Sequence, residues 1–160
     1  MNLSQWFHQQ LQISMEGLLW AVEQIPQDNL YQEPGADRWS AARIIYHMLS
    51  YEQRLALPSM LQWIGGPQPV ASSQLEDTMK EDYLWADGQG HEIQKMLADF
   101  KSIRMQQLEL LPQLGEQSLH EERDTIWGQK PLKWVVTKTY QHTLEHTDEI
   151  LKAYLFHWNT

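Results

Sequence analysis

Three histidines carry most of the chemical promise in this sequence: His47, His142 and His146. His142 and His146 are four residues apart, which on a helix brings their Cβ atoms to about 6 Å on one face. Two imidazoles so spaced can converge on one ion at nitrogen–metal distances of about 2 Å. A third ligand has to come from another helix, and His47 falls at the middle of one. The competing reading makes each histidine a hydrogen-bonded core residue, because a buried imidazole needs a partner and an ordinary acceptor supplies one as a metal does. Taken alone, the residues leave both readings open. The spacing is not the H-E-x-x-H of zinc proteases: position 143 is Thr143, and Glu145 points about a quarter-turn away from His146. His8, His91, His120 and His157 share no such spacing and are read as surface or helix-end residues.

Other chemistries are narrowed by composition. The chain of 160 residues has no cysteine, so disulfides, thiolate ligands and cysteine nucleophiles are all excluded, and any metal rests on His and carboxylates. Twelve Lys and Arg against 21 Asp and Glu give a net charge of −9, which repels phosphate backbones and argues against nucleic-acid binding. No run approaches the roughly 18 apolar residues that span a membrane. Met1 to Gln10 show no basic segment followed by an apolar run, so no signal peptide is visible and a cytoplasmic location is expected. Eight tryptophans are the compositional outlier. Trp39, Trp127 and Trp134 fall near helix starts, where a cavity mouth can form and a flat or apolar substrate be clamped, although packing at the bundle end is the plainer role.

The elements that must position the histidines read as helices throughout. Phe7, Leu11, Leu18 and Val22 mark a first helix over roughly 3–25, with Ser14 filling a gap in the stripe. Ser40 is an N-cap for a second, whose inward stripe is Ile44, His47, Met48, Tyr51 and Leu55. Pro58 kinks or ends it, and Gly65, Gly66 and Pro67 end whatever survives. A long connection follows, with one short helix starting near the capping-box pair Ser73 and Glu76 and running to about Ala86. The third main helix spans about 91–114, with Ile93, Met96, Leu97, Phe100, Gln107 and Leu111 inward. Residues 115–130 read as irregular, and no strand shows convincing alternation. Pro131 suits the first position of a last helix reaching about Phe156, with Val135, Thr139, His142, His146, Ile150 and Ala153 inward. The expected fold is all-α: a single domain over 1–160, a four-helix bundle whose connection between helices two and three is long enough to let them run parallel.

Two runs give the sequence a family likeness. W-S-A-A-R-I-I-Y-H, Trp39 to His47, resembles the segment that opens helix two in DinB/YfiT-like proteins. G-Q-K-P-L-K-W-V-V-T-K-T-Y-Q-H-T-L-E-H-T-D-E-I, Gly128 to Ile150, resembles that family's last helix, with its two histidines one turn apart. The resemblance implies a four-helix bundle with a crossover between helices two and three. It also implies a divalent metal, zinc or nickel, on His47, His142 and His146, and a homodimer. Members with assigned activity transfer or use low-molecular-weight thiols, so the expected partner is a small-molecule substrate, possibly such a thiol. Three residues past the second histidine the family often has Gln, whereas this chain has Glu149. It is read first as a helix-surface residue, with metal ligand or partner of a ligand as alternatives.

A divalent ion on three neutral imidazoles keeps an open position, where it acidifies water or, more strongly, a thiol. The first leads to hydrolysis, the second to S-transfer, and without cysteine the thiol must come from a cosubstrate. Candidate catalytic helpers are Tyr51, one turn past His47, and Glu52, with Glu149 a third. Tyr51 is expected in the core, and Glu52 is expected to face solvent because helix geometry turns it well away from His47. A non-catalytic metal or small-molecule binder is the alternative to an enzyme.

Overall fold

The computed structural model describes residues 1–67, 85 and 92–156. Apart from position 85, the short helix expected over Ser73–Ala86 lies outside the described residues, as do the histidines at 91 and 157.

Helix α1, Leu3–Glu23, starts where Asn2 and Gln5 form a reciprocal capping box. The Glu116 carboxylate accepts from the free amides of Leu3 and Ser4 at 3.0 and 3.1 Å, a negative charge set at the positive end of the helix. Helix α2, Ala41–Tyr51, begins at Ser40 as expected, whose Oγ accepts from the Arg43 amide at 3.2 Å. Pro58 does not end it. The chain widens into a π-helical segment, Glu52–Ala56, in which the Leu57 amide bonds back to the Glu52 carbonyl. It resumes as α3, Leu57–Leu61, then a 3-10 turn, Gln62–Ile64. Widening accommodates a proline that has no amide to give an α-helical ladder. Gly65 stops the run with φ +86°, a conformation that costs a glycine nothing.

Helix α4, Ile93–Ser118, runs past Pro112 and beyond the expected end near 114, and is broken only at Gly115 (φ +75°, ψ +167°). The stretch read as irregular then contains a small antiparallel hairpin, β1 Glu122–Thr125 and β2 Gly128–Pro131, paired from Glu122↔Pro131 to Thr125↔Gly128. This corrects the expectation of no strands. Each strand is four residues long and polar, so it carries no periodic signal, and the turn is fixed locally. Thr125 Oγ1 donates to the Gly128 carbonyl at 2.7 Å and accepts from the Trp127 amide at 3.1 Å. Helix α5, Leu132–Ile150, follows directly with Pro131 at its N-cap and widens into a second π-helical segment, Leu151–Phe156.

The helix directions follow from these contacts. Leu3 meets Glu116 and Leu11 meets Arg104, so α1 and α4 are antiparallel. Glu52 meets Arg104 and Trp63 meets Glu121, so the run α2–α3 is parallel to α4. Ala41 meets Tyr154 and His47 meets His142, so α2 and α5 are antiparallel. The bundle is up-down-down-up, and the end of α3 and the start of α4 lie at opposite ends of it. Phe7, Leu11, Leu18, Ile44, Met48, Phe100, Leu111, Val135 and Ile150 share one buried cluster between the helices. Each fully buried chain of that size contributes about 1.5–3 kcal/mol. Tyr154 fastens the end of α5, its hydroxyl donating to the Gln32 carbonyl at 2.7 Å and accepting from the Ala41 amide at 2.9 Å. No helix among the described residues is long and apolar enough to cross a membrane.

Candidate metal centre

Helices α2 and α5 bring His47, His142 and His146 together in the half-buried middle of the bundle. One nitrogen from each lies within 4.8 Å of the other two, and no other group of three or more such side chains is found among the described residues. The rings meet edge to face, with centroids 5.1 Å apart for His47–His142, 5.0 Å for His47–His146 and 4.7 Å for His142–His146. The Nε2 atoms of His47 and His142 are 3.2 Å apart. Two nitrogens held about 2.0–2.1 Å from one ion at a tetrahedral angle lie about 3.3 Å apart, so the pair is set as two ligands of a single ion require.

Protonation states suit the same use. Burial, then the neighbouring His146 and His47, push the His142 pKa down to about 3, so its ring is neutral and its lone pair available. His146 donates from Nδ1 to Glu149 Oε2 at 2.9 Å, which directs its Nε2 lone pair elsewhere. That hydrogen bond holds the Glu149 carboxyl below the usual range. Glu149 is therefore a surface residue, as read first, and the hydrogen-bond partner of His146 as well. This is the pairing that fixes the tautomer of metal-binding imidazoles. His142 Nδ1 is buried without a hydrogen-bond partner. The orphaned atom is not the one that meets His47, so the fit of the donor set to a divalent cation rests on the convergence of one nitrogen from each ring within 4.8 Å.

The remaining candidates separate cleanly. Tyr51 is in the core as expected, its ring centroid 4.2 Å from that of His142. Burial, then the adjacent Glu52, push its hydroxyl well above the usual phenol range, so it is a donor and not a base. Glu52 overturns the expectation of a solvent-facing residue, being fully buried. The side of α2 turned away from His47 faces α4 instead of water. There Arg104 donates to Glu52 Oε1 at 2.5 Å and Gln107 to Oε2 at 2.5 Å. Arg104, also fully buried, donates further to the Leu11 carbonyl and Ser14 Oγ at 3.0 Å each, and to Thr143 Oγ1 at 2.7 Å. Sequence reasoning passed over Arg104. The signal was present: it lies four residues after Phe100 and three before Gln107, on the apolar stripe of α4, where a charge demands a buried partner. Ser14, the polar gap in the stripe of α1, belongs to the same network.

Two clefts open beside the histidines. One, of about 340 Å³, is lined by Arg38, Trp39, Ile44, Glu145, Asp148 and Glu149 among others, and Trp39 stands edge-on to His47 at 5.2 Å. The other, of about 190 Å³, runs along α5 past Trp134, Thr137, Lys138, Gln141, His142 and Glu145. Of the three tryptophans expected at a cavity mouth, Trp39 lines the first cleft and Trp134 the second, while Trp127 packs against Trp134 with 5.4 Å between centroids. His8 lines a separate groove between α1 and α4, and the exposed His120 pairs with Lys133, both apart from the cluster.

No curated protein and no solved structure matches the chain. A family model for the DinB superfamily matches residues 10–150, nearly the whole of the helical architecture and all three clustered histidines. By fold, by the placement of its histidines and by that match, the chain belongs to the DinB superfamily.

Proposed function

We propose that His47, His142 and His146 hold a divalent ion, zinc or nickel, and that the chain is a metal-dependent transferase joining a low-molecular-weight thiol to an electrophilic small molecule. The observation that carries the metal is the convergence of three imidazole nitrogens within 4.8 Å with no counter-charge among them. When bound, such an ion supplies a Lewis acid that acidifies a thiol or water beside it. Around it, Glu149 orients His146, the Tyr51 ring backs His142, and Trp39 flanks His47. Neither Tyr51, held protonated, nor Glu52, committed to Arg104, serves as a general base in this reading. Glu149 acts through His146 and not on substrate.

Transfer over hydrolysis is supported by the two clefts, which meet at Glu145 on either side of the histidines and offer room for two reactants. The absence of cysteine agrees with a thiol brought in as cosubstrate. The proposal takes residues 1–160 as one unit acting in the cytoplasm as a homodimer, which sedimentation would detect at about twice 18.9 kDa.

Metal content by mass spectrometry on untagged protein, beside His47→Ala, is the first test. About one ion per chain, lost in the variant, supports the site. No ion, and none regained with zinc, nickel or manganese, overturns it and makes the histidines core residues. Loaded protein that consumes small thiols in the presence of electrophiles supports transfer. Ester cleavage without thiol consumption replaces it with a hydrolase, and no turnover of either kind leaves a metal or small-molecule binder.

A further inference from the structure

Along α5, Trp134, Lys138, His142 and His146 follow one another at steps of four, so they form one strip on the helix. Lys138 lies one turn from His142 in the smaller cleft. Its ammonium sits 5.7 Å from the Trp127 ring and 5.8 Å from Trp134, while Lys130, from β2, sits 5.1 Å from Trp134 on its own account. Both lysines are half-buried, and neither has an ion-pair partner among the described residues. Cation–π contact uses the attraction of the ring face but leaves the ammonium N–H donors unspent.

We propose that Lys138, held against the Trp127–Trp134 pair with Lys130 on the same indole of Trp134, forms an anion subsite one helical turn from His142 that takes a small molecule bearing a carboxylate. The inference rests on the reading above for its place in catalysis and names one of that reaction's two reactants. Lys138 supplies the counter-charge, and the indole faces that the lysines cover hold them in place. Thr137 and Gln141 add neutral hydrogen-bonding groups along the same wall. Glu145 closes the far end two turns beyond Lys138, about 10 Å along the axis. It repels an anion from that end and so sets the direction in which the carboxylate lies.

The test uses the full chain stripped with a chelator, titrated with sodium benzoate and, in parallel, with benzamide, its neutral isostere. Indole N–H resonances in two-dimensional NMR report binding, with Trp134→Phe identifying the relevant peak. Benzoate is expected to shift the Trp134 signal saturably and to bind at least about fivefold more tightly than benzamide. Lys138→Met should weaken benzoate about fivefold to tenfold and Lys138→Arg little, whereas Glu145→Gln should tighten it about twofold. Equal affinity for benzoate and benzamide overturns the subsite, as does undiminished benzoate binding in Lys138→Met. The isostere comparison is made on the unaltered chain, so the test survives a variant that fails to fold. Because binding is read without metal, the two proposals fail separately. Benzoate bound to a chain that takes no metal leaves the subsite standing alone, and metal loading without benzoate binding removes the subsite only.

Discussion

Two polar clusters sit at the same level of one bundle and are built on opposite principles. Around Arg104 a cation meets an anion: Glu52 accepts from Arg104 and Gln107, and Arg104 donates further to Thr143, Ser14 and the Leu11 carbonyl, drawing in α1, the π-helical segment, α4 and α5, with only Arg104 Nε and Gln107 Oε1 left unpaired. Around His142 three like bases face each other with no acid among them. The two are neighbours in the chain, since Thr143 follows His142 and Glu52 follows Tyr51, whose ring lies on His142. The difference teaches what each is for. A cluster that closes its own charge balance holds helices together, whereas one that leaves lone pairs converging on a point has room for a cation from outside.

The contrast is broken most severely at Arg104. Arg104→Met strands a buried carboxylate and should cost about 3–5 kcal/mol in denaturant unfolding, and Arg104→Met with Glu52→Leu should recover most of it. Retention of full stability by the single variant would mean that the ion pair ties nothing together. Next in size is the effect of metal. Zinc or nickel at about a hundred times its Kd should stabilise the protein by about 2.7 kcal/mol, and His142→Ala or His146→Ala should abolish that gain. Either variant should lower metal affinity by more than about a hundredfold while circular dichroism stays unchanged. Full metal loading in either would show the ligand set to be wrong. Smallest is Glu149→Gln, which weakens the hold on the His146 tautomer. About a tenfold loss of metal affinity with no change in unfolding midpoint is expected, and an unchanged affinity would return Glu149 to a surface role alone.

Of these two clusters the sequence displays one plainly and conceals the other. His142 and His146 announce themselves by helical spacing, and His47 by its place on an inward stripe, because periodicity within one helix is a local property. The Glu52–Arg104 pair joins positions 52 residues apart, and nothing in α2 alone says that its second face meets α4 rather than water. Helix starts were legible where caps are local, as at Ser40 and Pro131, and so was the freedom of the second and third main helices to run parallel. The π-helical widening before Pro58 and the four-residue hairpin were not. One depends on how the surrounding bundle takes up a missing amide, the other on pairing across a turn with no hydrophobic alternation to mark it.

The up-down-down-up arrangement has a consequence for how the molecule comes into being. An up-and-down bundle joins neighbours in sequence and gains contacts as each short loop closes. Here the first and last helices must find each other, and the His47–His142 contact joins residues 95 positions apart. High contact order slows folding, because the entropy of closing a long loop is lost before its contacts form. The three histidines therefore come together only when the chain's two halves have docked, and an ion that needed all three nitrogens would select the finished bundle over every partly built one.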